Sequence, residues 1–342
     1  MKGDLTAFQK AKRLPNFEGS RRRNLDFRYL NFEIVSDFEI RISDLKYAWP
    51  EYFFSLPPIP DKMGGEKLYM RTLFAIVGFF ILLFCASPSA AQNTGDPFLR
   101  VAASYLLELN GQSLWAHRPT VKLPPASLTK IMTALLVLER GRLDEVVTIS
   151  LTASQETGTR LGLRRGEKVR SDFLLAAALL MSANDACRAL AEHFGGHEPG
   201  FVALMNRRAK ELGMEGTRFS NACGHDHDSH YSCARDLAIL SGAALKHPFF
   251  SEQVKLASAY MATVEGRSFY FENKNELIGR YPGVVGVKTG FTPKAGKCLV
   301  ALAERDSSNA LLVLLNAPNR WWDAEAMLNE AFRLPKKEDP KP

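Results

Sequence analysis

Cysteine is scarce, with 5 in 342 residues. Cys85 stands apart from Cys187, Cys223, Cys233 and Cys298, and none has a partnered base nearby, which excludes a cysteine nucleophile. The last four permit three pairings in an oxidising compartment, and they read as small buried hydrophobes, with a Cys223–Cys233 bridge as the alternative because both lie in one turn-rich stretch. Charge of one sign is not dominant: 44 Lys and Arg face 37 Asp and Glu, a formal net charge of +7. Arg21-Arg22-Arg23 is the one compact basic run and no basic stripe interleaves with aromatics, so nucleic-acid binding is excluded. Cofactor motifs, zincin helix patterns and internal repeats are also lacking, so neither a cofactor nor a metal is expected. With 46% hydrophobic and 24% charged residues, the chain is globular rather than disordered.

A membrane-spanning run is missing too. The apolar stretch from Leu73 to Cys85, broken only by Gly78, is too short for a comfortable span. It follows Met70-Arg71 and precedes Ser87-Pro88-Ser89-Ala90-Ala91, which makes residues 70–91 a secretory signal with cleavage near Gln92. Cys85 invites a lipoprotein reading, but Phe84 is too bulky to precede a lipidated cysteine. A signal of this kind works at a nascent N-terminus. Residues 1–69, of mixed charge with no clear period, are therefore expected to be an upstream extension, with Met70 or Met63 as the working start. A cytoplasmic segment followed by an uncleaved anchor is the competing view, and N-terminal sequencing of the exported protein tests it: a form retaining residues before Met70 rules the extension out. Residues 92–334 form the expected catalytic domain, and 335–342, charged and proline-rich, a frayed tail.

What is present begins with Asn110-Gly111, flanked by Val101 to Leu109 and Gln112 to His117, a β-hairpin signal. Pro124-Pro125 stops extended structure, and Ser127 opens a predicted helix over Leu128 to Glu139, closed by Gly141. Helices are predicted for Asp172 to Met181, Asp185 to Phe194, Phe201 to Leu212 and Ala234 to Leu245. Strands follow at Val284 to Lys288, Lys297 to Ala303 and Ala310 to Leu315, and a last helix at Trp322 to Phe332. Strands at both ends around a helical middle predict an α+β fold: an antiparallel sheet formed by both chain ends and flanked by helices.

Three short strings carry chemistry. In Ser127-Leu128-Thr129-Lys130, positions three apart on a helix present hydroxyl and amine side by side. The positive end of the helix dipole together with burial disfavours an ammonium there, so a neutral Lys130 amine could take the Ser127 proton. Alone, the string is also a common serine N-cap followed by lysine. Ser182-Ala183-Asn184 offers a hydroxyl and an amide from a loop, or simply a helix cap. Lys288-Thr289-Gly290 can grip a carboxylate and admit a substrate backbone at Gly290, or be an edge-strand lysine and a turn. Each has an ordinary structural explanation; the ordered triplet on helix, loop and strand does not.

Here the chain resembles the serine D-alanyl-D-alanine carboxypeptidases of the low-molecular-mass penicillin-binding proteins, whose fold is shared with β-lactamases and transpeptidases. The resemblance runs over roughly residues 98–333. Besides the triplet it includes Gly166-Glu167, Asn184-Asp185-Ala186, Met205-Asn206, Leu212-Gly213-Met214, His230-Tyr231-Ser232, Asn273 to Leu277 and Gly290-Phe291-Thr292. It implies that Ser127 attacks the carbonyl between two D-alanines, Lys130 takes its proton and Ser182 relays a proton to the leaving amine. Asn184 would hold Lys130 and substrate, Lys288 and Thr289 the terminal carboxylate, and the Ser127 and Phe291 N–H groups the oxyanion. The implied partners are peptidoglycan stem peptides, with β-lactam antibiotics as covalent inhibitors at Ser127.

Many members carry a second β-rich domain and an amphipathic anchor, whereas the segment after Gly290 is used by the last strands and helix. The mature enzyme is thus expected to be periplasmic or otherwise extracytoplasmic, at most loosely attached to the membrane. A DD-endopeptidase is the alternative within the family. Two readings from other classes are weighed: a β-lactamase using Glu198, which instead suits a helix start, and a metal site at His225-Asp226-His227-Asp228-Ser229-His230, which also reads as a polar surface loop.

Overall fold

The computed structural model describes residues 95–334. The expected extension 1–69, signal 70–91 and tail 335–342 lie outside the described residues. The chain opens with the antiparallel hairpin β1 (Ser104–Leu109) and β2 (Gln112–His117). Asn110 and Gly111 between them both have positive φ, 52° and 75°, which asparagine and glycine tolerate best. A short 3-10 turn (Ala126–Thr129) leads into α1 (Lys130–Glu139). The small ladder β3 (Val146–Thr148) and β4 (Lys168–Arg170) brackets the one-turn helix α2 (Leu151–Ser154).

The helical middle follows with α3 (Ser171–Leu180), α4 (Asn184–Gly195), α5 (Glu198–Glu211), α6 (Ala234–Leu245) and α7 (Pro248–Lys255). A separate two-stranded hairpin, β5 (Ser258–Ala262) and β6 (Ser268–Glu272), precedes the return to the main sheet. That return is β7 (Val284–Thr292), β8 (Gly296–Arg305) and β9 (Ser308–Leu315), and α8 (Arg320–Arg333) ends the described chain. The five strands are ordered β2-β1-β9-β8-β7, all antiparallel, so the first and last strands of the sequence share one sheet as expected.

The sheet is buried on both faces, and strand periodicity divides its side chains between two cores. Val313, Leu315, Val300 and Leu106 face the helical middle, while Leu312, Leu314, Leu299 and Leu107 face α8 through Met327 and Leu328. Helix α3 is apolar almost all round and buried on every side except at Asp172, which makes it the central rod of the helical layer. In α1 every residue from Lys130 to Leu138 is buried. A lysine at the head of such a helix must find partners inside the protein. Among the described residues, no helix is long and apolar enough to cross a membrane.

Candidate active site

Ser127 does not cap α1; it sits inside the 3-10 turn that precedes it. Residue 126 enters that turn with φ 49°, an unusual conformation for alanine. The turn is held from within by the Thr129 hydroxyl, which donates to the Ala126 carbonyl at 2.8 Å. It is held from outside by His230, whose Nε2 lies 2.8 Å from Thr129 Oγ1. His230 Nδ1 accepts the Ser220 N–H at 3.0 Å, which fixes the neutral tautomer with its proton on Nε2. Burial pushes the imidazole down to about 4. Gly224 is pressed against the same turn: a Cβ there would stand 2.0 Å from the Ala126 carbonyl oxygen.

Lys130 is fully buried. Its Nζ has three partners, Ser127 Oγ at 3.1 Å, Asn184 Oδ1 at 2.8 Å and the Cys223 carbonyl at 2.6 Å. The first two strings therefore meet at one amine. Asn184 is the first residue of α4 rather than part of a loop, and its amide Nδ2 donates to the Thr157 carbonyl at 2.6 Å. Ser182, buried and with φ 67°, forms the strained corner between α3 and α4. Asp185 braces this corner by accepting the backbone N–H groups of Leu161, Gly162 and Leu163.

The third string lies in β7, the edge strand of the sheet, which continues through Thr292 instead of turning at Lys288. A Cβ on Gly290 would come 3.2 Å from the Ser127 nitrogen, so β7 passes directly beside the serine turn. Lys288 is buried, and burial holds its amine well below the usual lysine range, with Lys130 and Lys274 adding to the effect. Thr289 is buried and Phe291 exposed. Thus Lys130 touches both Ser127 and Asn184, Gly290 lies beside the Ser127 turn, Ser182 stands two residues before Asn184, and Lys288 shares the electrostatic surroundings of Lys130.

Comparison with known proteins shows the family. A family model described as D-alanyl-D-alanine carboxypeptidase, peptidase S11, matches residues 93–319. The chain belongs to this family. It is 34% identical to D-alanyl-D-alanine carboxypeptidase DacF of Bacillus subtilis, over 73% of this chain and 66% of that protein's length. It is 32% identical to the D-alanyl-D-alanine endopeptidase of Escherichia coli, over 68% of this chain and 76% of the relative. Among solved structures, the Streptomyces K15 DD-transpeptidase matches with TM-score 0.66 at 31% identity, covering 70% of this chain and 99% of that one.

Three site residues of this family member were not singled out from its sequence. Cys223 contributes a backbone carbonyl, for which no side-chain pattern exists. Arg320, the first residue of α8, donates from Nη1 to the carbonyls of Gly290 at 2.8 Å and Cys298 at 3.2 Å, pinning β7 where it passes Ser127. Lys274 falls within the resemblance at 273–277; its Nζ donates to Thr159 Oγ1 at 2.8 Å, and the Thr159 carbonyl accepts the Asn184 N–H.

The competing residues are engaged elsewhere. Glu198 opens α5, pairs with Arg188 and accepts the Ala222 N–H, so it braces the segment that presents the Cys223 carbonyl. The side chains of the 225–230 stretch have separate partners: His225 meets Glu156, Asp226 accepts the Thr292 hydroxyl, Asp228 pairs with Lys294 and His230 holds Thr129. All four described cysteines are buried and unpaired.

Proposed function

We propose that this chain is an exported serine-type D-Ala-D-Ala carboxypeptidase that removes the terminal D-alanine of peptidoglycan stem peptides through an acyl-enzyme on Ser127. The observation that carries the reading is the buried Lys130 Nζ, within 3.1 Å of Ser127 Oγ and 2.8 Å of Asn184 Oδ1. With the amine neutral, its two hydrogens satisfy the Asn184 and Cys223 oxygens while its lone pair faces the Ser127 hydroxyl and accepts that proton on attack. The tetrahedral oxyanion lies between the Ser127 and Phe291 N–H groups, each such donor being worth roughly 10²- to 10³-fold in rate. Ser182 passes a proton to the departing D-alanine, and water then releases the acyl group.

Charge favours a substrate that ends in a carboxylate. Burial, Lys274 and Arg320 all work against the charged form of Lys288, so an anion beside Lys288 and Thr289 offsets a repulsion already present. A β-lactam that mimics the D-alanyl-D-alanine end acylates the same serine. Work outside the cytoplasm, in the periplasm or another extracytoplasmic compartment, is the reading that the signal-like residues 70–91 of the sequence support. A DD-endopeptidase is the second reading, motivated by relatives of that name in Escherichia coli and Pseudomonas aeruginosa at 32% and 33% identity. Mass spectrometry of digested muropeptides decides between them. Loss of a single alanine from pentapeptides is the expected product, and splitting of cross-linked dimers without such loss contradicts it.

A further inference from the structure

The β5–β6 hairpin turns two aromatic rings outward that its own fold does not use. Phe269 and Phe271 on the inner face pack edge-on and stacked against Phe173, and that face anchors the hairpin. On the outer face Tyr260 and Tyr270 stand directly opposite each other in register, 72% and 63% exposed. Their neighbours on that face are small or polar, Ser258 opposite Glu272 and Ser268 opposite Ala262, and the Tyr270 hydroxyl donates to Glu272 at 3.3 Å. The hairpin is fixed rather than loose, since Arg267 pairs with Glu167 and also donates to the Gly162 carbonyl, and Val264 N–H bonds the Lys168 carbonyl. It is thereby tied to the same 157–168 segment that holds Asn184 through Thr157 and Thr159.

The geometry points to this tyrosine pair as a saccharide-binding platform, which takes the glycan strand that carries the stem peptide while the peptide end occupies the catalytic cleft. The inference rests on the peptidase reading above. Paired exposed phenol rings flanked by hydroxyl and carboxylate groups suit a sugar ring, which offers apolar C–H faces and an equatorial rim of hydrogen-bonding groups. The platform adjoins the site along the chain: β6 ends at Glu272, and Lys274, two residues on, bonds the hydroxyl of Thr159, whose carbonyl accepts the Asn184 N–H.

The test compares two substrates, a free stem pentapeptide and the same pentapeptide on a β-1,4-linked amino-sugar tetrasaccharide, with the wild type and the double variant Tyr260→Ala, Tyr270→Ala. The expected result is a roughly tenfold rise in KM for the glycan-linked substrate, of the size two lost aromatic contacts would give, with kcat, turnover of the free pentapeptide and penicillin labelling of Ser127 unchanged. Tyr260→Phe, Tyr270→Phe, which keeps both rings, retains most of the affinity. Equal KM for the glycan-linked substrate in wild type and double alanine variant overturns the platform, as does an equal loss on both substrates. A wild type that labels with penicillin yet cleaves neither substrate would fault the peptidase reading instead.

Discussion

Lys288 is buried, hydrogen-bonds the Thr289 carbonyl at 3.0 Å and has other cations for neighbours. Burying an amine under those conditions costs stability that only a bound anion returns. Lys288→Met should therefore raise the denaturant midpoint, by about 1–2 kcal/mol of stability, while carboxypeptidase turnover falls to background; a destabilised variant would show that the lysine supports the fold. Gly224 makes the opposite case, of a residue that contributes by lacking a side chain, both at its φ of 89° and against the Ala126 carbonyl. Gly224→Ala forces the Ala126 carbonyl away from its place and moves Ser127 with it, so acylation by penicillin should slow by about 10²-fold or more. Stopped-flow acylation measures this, and a near-normal rate would mean that the turn can shift freely. At this scale the sequence offered Ser127, Lys130, Asn184 and Lys288 as candidates, because each is a side chain in a spaced string. It could not show the Cys223 carbonyl or Arg320, since a backbone oxygen has no residue signature and Arg320 acts only because α8 folds back onto β7.

At the scale of elements, the corner between α3 and α4 sets the site. Ser182 closes it in a left-handed conformation, and Asn184 opens α4 with its side chain directed at Lys130. Asp185 supports the corner with three backbone N–H bonds to the 161–163 segment. Asp185→Ala leaves those donors without an acceptor and should cost about 3 kcal/mol, read by urea denaturation, with penicillin acylation slowed as Asn184 loosens. An unchanged midpoint would mean that the segment is held by other means. Helix α6, Ala234–Leu245, has the bounds its sequence predicts, because Leu237, Leu240 and Ala244 recur at helical spacing on its buried side despite Gly242. The 3-10 turn at Ser127 is not legible, because the left-handed residue is an alanine where glycine is the usual marker. The β5–β6 hairpin is equally hidden: its strands are joined by a five-residue connection over 263–267, without a two-residue turn signal.

At the scale of the whole described fold, the sheet that joins its first and last strands carries two cores, and the candidate site lies where the edge strand β7 passes the Ser127 turn. This arrangement was legible because strand patterns cluster at the two ends and helical ones between them. His230 links the nucleophile turn to the segment bearing Cys223, and it also makes stability depend on pH. Its folded value, pushed by burial to about 4, lies below the ordinary value of 6.5. Between those values the unfolded chain binds the proton and the folded one does not, so stability is fully present above pH 6.5 and declines as pH falls toward 4. The linked loss is at most roughly 3 kcal/mol. Denaturation midpoints across pH 4 to 7 should show this slope in the wild type and lose it in His230→Asn, whereas an identical slope in both would assign it to other groups.

The account as a whole depends on Ser127 being the activated nucleophile. Peptide mapping by mass spectrometry after incubation with penicillin tests this most directly. One covalent adduct on the peptide containing Ser127, absent from Ser127→Ala and greatly slowed in Lys130→Ala, is the predicted result. An adduct on another residue, or labelling that persists in Ser127→Ala, would contradict it.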